Sequence, residues 1–109
     1  MTEQGYNGWA NYETWCVNLW LSNDQGTQEH CEEMAQDAWD NAEGGKYLTR
    51  LEVATRALAG MLRDEQEEAA SELTGNSSMF SDLLTAALGE VNWDEIAKAF
   101  LECVDTVVS

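Results

Sequence analysis

At 109 residues the chain has material for one compact domain and little for a second. Its 44% hydrophobic content, including five Trp, three Tyr and two Phe, is too rich for a disordered tail. Twenty-one Asp and Glu against five Lys and Arg leave a formal charge of -16, about twice the upper end for a small soluble domain. That balance excludes direct binding to nucleic acid or to an anionic membrane, since either needs a basic footprint. A partner with a basic surface is expected instead.

No apolar run approaches the ~20 residues of a membrane span. Met1-Thr2-Glu3-Gln4-Gly5 has neither a basic nor an apolar leader region, which predicts a cytoplasmic protein. Cys16, Cys31 and Cys103 are odd in number and lack C-x-x-C spacing. They read as reduced thiols at apolar positions, not as a disulfide framework or a zinc site.

Proline is absent and apolar residues recur at three- and four-residue steps, which predicts an all-α fold. The expectation is an N-terminal arm over 1–10 and a single compact domain over 11–109, with about five helices in orthogonal or bundle-like packing. Tyr6 and Trp9 would dock the arm through their rings. Asn11 caps a first helix ending near Asn23 or Asp24, with Glu13 in its first turn. Tyr12, Trp15, Cys16 and Leu19 share one face of it, and Val17, Trp20 and Leu21 wrap the rest. A helix apolar nearly all round is central to a core or faces a partner.

Thr27 is the predicted cap of a second helix over 28–43, stopped by Gly44-Gly45. Cys31, Met34, Ala35, Ala38 and Ala42 form its inner face, with Trp39 on the border. Glu29, Glu32, Glu33, Asp37, Asp40 and Glu43 form its outer face. Thr49-Arg50-Leu51-Glu52 is a capping-box pattern opening a third helix to about Leu73. Leu51, Ala54, Leu58, Met61, Leu62, Ala69 and Leu73 make its inner stripe. Its second half carries the acidic block Asp64-Glu65-Gln66-Glu67-Glu68, followed by Glu72. Glu65 falls within the apolar arc, so the helix is expected to project beyond the core there.

Gly75-Asn76 ends that helix, and Ser77 or Ser78 caps a fourth through Phe80, Leu83, Leu84, Ala87 and Leu88. Asn92-Trp93-Asp94-Glu95 has capping-box spacing and starts a fifth. Trp93, Ile96, Ala97, Phe100, Cys103, Val104 and Val107 are expected inside, with Asp94, Glu95, Lys98, Glu102 and Asp105 outside.

Little here carries catalytic chemistry. His30 and Cys31 are adjacent, and neighbouring side chains on a helix diverge by about 100°, so they cannot pair as base and nucleophile. A thiol hydrolase would have to bring Cys16 or Cys103 to His30 through the fold. His30, Glu33 and Asp37 have helical spacing for a surface metal contact, but no D-x-D-x-D-G loop accompanies them. No Gly-rich phosphate loop occurs, so no catalytic residue, cofactor or metal is expected. Lys46, Arg50, Arg56 and Arg63 gather in 46–63 and are expected to pair with nearby acids.

The acidic surface is the departure from an ordinary domain. Carboxylates at i, i+4, such as Glu29/Glu33 and Glu33/Asp37, recur about every 6 Å along a helix. Phosphates along one nucleic-acid strand follow at a comparable interval, about 3.4 Å of axis apart on a helical path. A body presenting Glu29, Glu32, Glu33, Asp37, Asp40 and Glu43, then Asp64, Glu65, Glu67, Glu68 and Glu72, could occupy a Lys/Arg-lined nucleic-acid groove. Self-repulsion would be offset by a Trp-rich core. Salt adaptation gives the same charge signature, although Glu outnumbers Asp by 14 to 7.

Two segments carry a resemblance. Asn11-Tyr12-Glu13-Thr14-Trp15-Cys16-Val17-Asn18-Leu19-Trp20, continuing through Asn23-Asp24-Gln25-Gly26, resembles the N-Y-E-T-W-x-V-x-L-W signature of a family of small, largely uncharacterised proteins of phages, prophages and mobile elements. Asn92-Trp93-Asp94-Glu95-Ile96-Ala97 is similar to that family's N-W-x-E-I-A segment. Cys16 stands where a polar or small residue is the rule. Trp15, Leu19, Trp20 and Trp93 lie on apolar stripes and are expected in the core.

The resemblance implies a phage origin, an all-α fold and no established enzymatic activity. Joined to the acidity, it implies a DNA-mimic inhibitor acting in the bacterial host cytoplasm on a basic nucleic-acid-binding defence complex. A CRISPR effector is the favoured target and a restriction enzyme the second. The longest predicted helix, ~24 residues or roughly 36 Å, spans about ten base pairs and suits a short PAM-reading groove. The alternative is a helical structural or accessory phage protein that contacts partners through its first helix.

Overall fold

Short polar side chains set where each helix begins. The computed structural model describes residues 6–75 and 78–104 and contains α1 (Tyr12–Asn23), α2 (Gln25–Asn41), α3 (Arg50–Thr74), α4 (Met79–Gly89) and α5 (Trp93–Leu101). Asn11 Oδ1 accepts from the Thr14 amide at 2.9 Å and caps α1. Thr49 and Glu52 close the expected capping box of α3. Ser78 caps α4; Ser77, Asn76, Asp105 and Val107 lie outside the described residues.

The start of α2 differs from the sequence expectation. Thr27 is not the cap: Asp24 accepts both the backbone amide and the hydroxyl of Thr27, each at 2.9 Å. A carboxylate accepts such bonds better than a hydroxyl can, so the helix begins three residues earlier, despite Gly26. The Thr27 amide, then its hydroxyl, hold the Asp24 carboxyl below the usual value. The stability this adds is present above the ordinary carboxyl range and disappears as pH falls through the lowered value. α2 also ends at Asn41, leaving Glu43 beyond it.

α3 is the central element. It packs against α5, α2 and α4, while α1 rests on α2 and α5. Leu58, Leu62 and Ile96 are fully buried, surrounded by Ala35, Ala38, Ala42, Ala54, Ala59 and Ala97. Alanine at the seams brings helix axes close and leaves little room for indoles. The core is therefore aliphatic, not Trp-rich. Only Trp93 is buried; Trp9 and Trp39 pack at the margin, and Trp20 is 70% exposed. Leu19 is likewise exposed, and so is Leu73, at 83%, where α3 runs on beside α4. Leu51, Met61, Phe80 and Leu83 are also exposed. α5 stops at Leu101, so Cys103 stands in solvent instead of facing inward.

The start of α1 and the start of α5 are stitched together by side-chain hydrogen bonds. Thr14, fully buried, donates its hydroxyl to Asn11 Oδ1 at 2.7 Å and accepts the Asn92 amide at 2.8 Å. Asn11 Nδ2 donates to the Glu90 carbonyl at 2.7 Å. The second capping box is thus only half made. Asn92 Oδ1 accepts from the Glu95 amide, but the Glu95 carboxylate takes the Ala10 amide at 2.9 Å. Tyr6-Asn7-Gly8-Trp9 forms a tight turn with positive φ at Asn7 and Gly8, as Asn-Gly favours. It seats the Tyr6 ring on Tyr12 and Trp15, at centroid distances of 5.3 and 4.9 Å.

Replacing Thr14 by Val keeps the volume and removes both hydrogen bonds, leaving the Asn92 amide without its partner. Urea unfolding of T14V should show a loss of about 1–3 kcal/mol. An unchanged midpoint would mean that the stitch contributes nothing to stability.

Candidate functional site: an acidic face on two helices

α2 and α3 run antiparallel side by side. His30 Nε2 meets Glu65 Oε2 at 2.9 Å, while Ala38 and Ala42 share a groove with Val53, Ala57 and Met61. This pairing decides which acids come together. On α2, Glu29, Glu33 and Asp37 form an exposed i, i+4 row with Asp40 beside it. On α3, Asp64, Glu68 and Glu72 form a second exposed row. The half-buried Glu65 sits between the rows, held by His30, which accounts for an acid within the apolar arc. Glu32 is half-buried on the α2 flank, and Glu43 is exposed past the helix end. Glu67 departs from the group: it lines a groove of about 410 Å³ with Ser71, Thr85 and Leu88, on the α4 side.

Three of the α2 carboxylates are held by neutral side chains. Gln25 donates to Glu29 at 3.2 Å, Gln28 to Glu32 at 3.2 Å and Gln36 to Asp40 at 3.0 Å. These are i, i+4 positions where Lys or Arg ordinarily supplies an ion pair. Glutamine fixes the acid and leaves its charge unneutralised. Glu33, Asp37, Glu68 and Glu72 have no side-chain partner among the described residues. The nearest arginine contact, Arg63 to Asp64, is 3.5 Å long between exposed groups and is worth little.

The helix dipoles work against this arrangement. Neither α2 nor α3 has a basic residue in its last turn, and both place acids there: Asp40 and Glu72. Negative charge at a helix C-terminus is unfavourable. Local helix stability therefore does not explain these carboxylates.

Of the basic cluster expected to pair with nearby acids, only Arg63 does so, with Asp64, among the described residues. Arg50 donates to the Trp39 carbonyl through Nε at 3.1 Å and a terminal nitrogen at 2.8 Å, and its guanidinium lies 4.2 Å from that ring. Lys46 lies over Tyr47. Arg56 has no partner among the described residues. Sequence reasoning missed these placements because helical periodicity reports a face and not the reach of a long side chain.

Nucleophilic and metal chemistry gain no geometry. Burial, then the charges of Glu65 and Glu32, push the Cys31 thiol up to about 11. His30 is engaged by Glu65. No group of three or more His, Cys, Asp or Glu side chains converges among the described residues, so His30, Glu33 and Asp37 form no such cluster. No described helix is long and apolar enough to cross a membrane.

Fold and surface together define a small all-α protein with an acidic two-helix face. The chain belongs to a family of unknown function, DUF7249, which it matches over residues 2–106. No curated protein and no solved structure matches it.

Two outcomes follow from this geometry. Asp40→Asn and Glu72→Gln remove charge without changing shape, so each should raise the urea midpoint by about 0.2–0.5 M at low salt. A lowered midpoint would mean that these acids stabilise their helices. Cys31 is buried and its thiol is pushed up, so an aromatic disulfide reagent should label exposed Cys103 and spare Cys31 until the protein unfolds. Rapid native labelling of Cys31 would contradict its burial.

Proposed function

We propose that this chain is a phage-encoded polyanion mimic that blocks a Lys/Arg-lined DNA groove of a bacterial defence complex, with a CRISPR effector as the favoured target. The observation that carries the reading is the pair of exposed carboxylate rows on α2 and α3, of which Glu29 is held by a neutral glutamine and Glu72 stands against its helix dipole. Along each row the charges step by about 6 Å. The axes of packed helices lie about 8–10 Å apart. Two rows on antiparallel helices thus offer guanidinium and ammonium groups a compact anionic surface. α3, at 25 residues, is about 37 Å long, the axial rise of about ten base pairs, so the body suits a short duplex-reading groove such as one that inspects a PAM.

Inhibition of this kind needs no catalytic group or cofactor. The net charge steers the chain to a cationic groove, and the same chemistry would serve against a restriction enzyme. Glu29, Glu32, Glu33, Asp37, Asp40, Asp64, Glu65, Glu68 and Glu72 make up the proposed contact, with Glu43 at its edge. Glu67 lies apart and contributes through the general field.

A second reading draws support from α1. Leu19 and Trp20 are exposed, which suits a helical accessory protein that binds through apolar contact. The two readings differ in the residues they require. The variant E29K/E33K/D37K/D40K should lose inhibition of DNA binding about a hundredfold or more, with helicity unchanged, against a panel of purified CRISPR effectors and restriction enzymes. Trp20→Ser should leave inhibition intact. The reverse pattern would transfer the function to α1.

A further inference from the structure

On the α5 side of α3 lies a groove unlike the rest of the surface. It has a volume of about 370 Å³ and brings together Arg56, Gly60, Arg63, Val91, Trp93 and Asp94. Arg56 and Arg63 sit two turns apart on one flank of α3, with Gly60 between them. Two of the chain's five basic residues thus share a single groove among 21 acids. Neither is neutralised by a close carboxylate: Arg56 has no partner among the described residues, and Arg63 has only the 3.5 Å contact to its neighbour Asp64.

Gly60 has no use inside the chain that explains it. It lies in the interior of a 25-residue helix, where glycine destabilises relative to alanine. A Cβ built there would meet nothing within 4 Å, so close packing does not require its absence. What glycine leaves is an open floor between two guanidinium groups, where a ligand can approach the helix backbone. Asp94, which lines the same groove as Trp93, has no partner among the described residues and offers an acceptor.

We infer that this groove is a binding site for a small phosphorylated ligand that carries hydroxyl groups, of the sugar-phosphate class. Arg56 and Arg63 hold the phosphate oxygens through forked N–H donors. Gly60 makes room for the phosphate, Val91 and Trp93 face the carbon skeleton, and Asp94 accepts from a hydroxyl. The net negative charge does not forbid this. The Debye length is about 8 Å at physiological ionic strength, so distant acids are screened while direct contacts are not. The groove opens on the α5 side of α3 and not over α2, so ligand binding and the proposed inhibition stand or fall separately.

The test follows the Arg Nε–Hε signals of the full chain by NMR during titration with ribose 5-phosphate, inorganic phosphate and ribose. Saturable shifts confined to Arg56 and Arg63 are expected with ribose 5-phosphate, weaker ones with inorganic phosphate, and none with ribose. Arg56→Lys keeps the charge and loses the fork, and should weaken binding about tenfold. Gly60→Leu should abolish binding with both arginines present; far-UV circular dichroism verifies its helicity. Asp94→Ala removes the acceptor and should abolish the advantage of ribose 5-phosphate over inorganic phosphate. Unsaturable shifts that chloride reproduces at equal ionic strength, or unchanged binding in the Gly60→Leu variant, would overturn the site.

Discussion

Mutual repulsion of like charges is the constraint under which this fold is built. A formal charge of -16 on 109 residues opposes compaction, and few cations are placed to relieve it. Arg50 is committed to the face and carbonyl of Trp39, and Arg56 meets no acid. Cohesion comes instead from close approach of α2, α3 and α5 through alanine seams, with Leu58, Leu62 and Ile96 at the centre. An alanine-lined seam buries little area per residue, so hydrogen bonds that fix the helix ends carry weight here that they would not carry in a larger core.

Those bonds give the two sequence segments with a recognisable pattern a common purpose. Asn11 and Thr14 from the first segment meet Glu90 and Asn92 around the second, and Ala10 just before it meets Glu95. The polar positions of the pattern are thus a clasp between the start of α1 and the start of α5. Its aromatic positions divide: Trp93 is core, Trp15 supports the Tyr6 turn, and Trp20 is left in solvent. The clasp accounts for Asn11, Thr14 and Asn92 as structure, and the exposed Glu33, Asp37, Glu68 and Glu72 have no comparable structural role among the described residues.

The helices and their order were legible because each begins at a side chain that caps it and carries apolar residues at helical spacing. Asn11, Thr49, Ser78 and Asn92 show this directly. Asp24 was obscured by Gly26, which reads as a stop but is tolerated in a first turn whose cap is a carboxylate. Burial was less legible. Trp20 and Leu73 have the composition of core residues, yet the elements that would cover them lie elsewhere, and only tertiary packing decides that. The acidic rows were visible as spacing within each helix. That α2 and α3 lie antiparallel, joining the rows and turning Glu67 away, is set by tertiary packing of their buried faces, and the His30–Glu65 contact across 35 positions of sequence reports it. The Arg56–Gly60–Arg63 groove was hidden for the same reason, since its far wall comes from α5.

The proposed mechanism is a competition for cations, with the carboxylates of α2 and α3 taking the places of phosphates. Its central claim is that chain and DNA exclude one another from one groove. The direct measurement is the association of the chain with a purified target complex, with and without saturating PAM-bearing or recognition-site duplex, over a range of ionic strength. Mutual exclusion is predicted, with affinity falling by orders of magnitude as salt screens the charges. Simultaneous binding of chain and duplex, with affinity indifferent to salt, would contradict it.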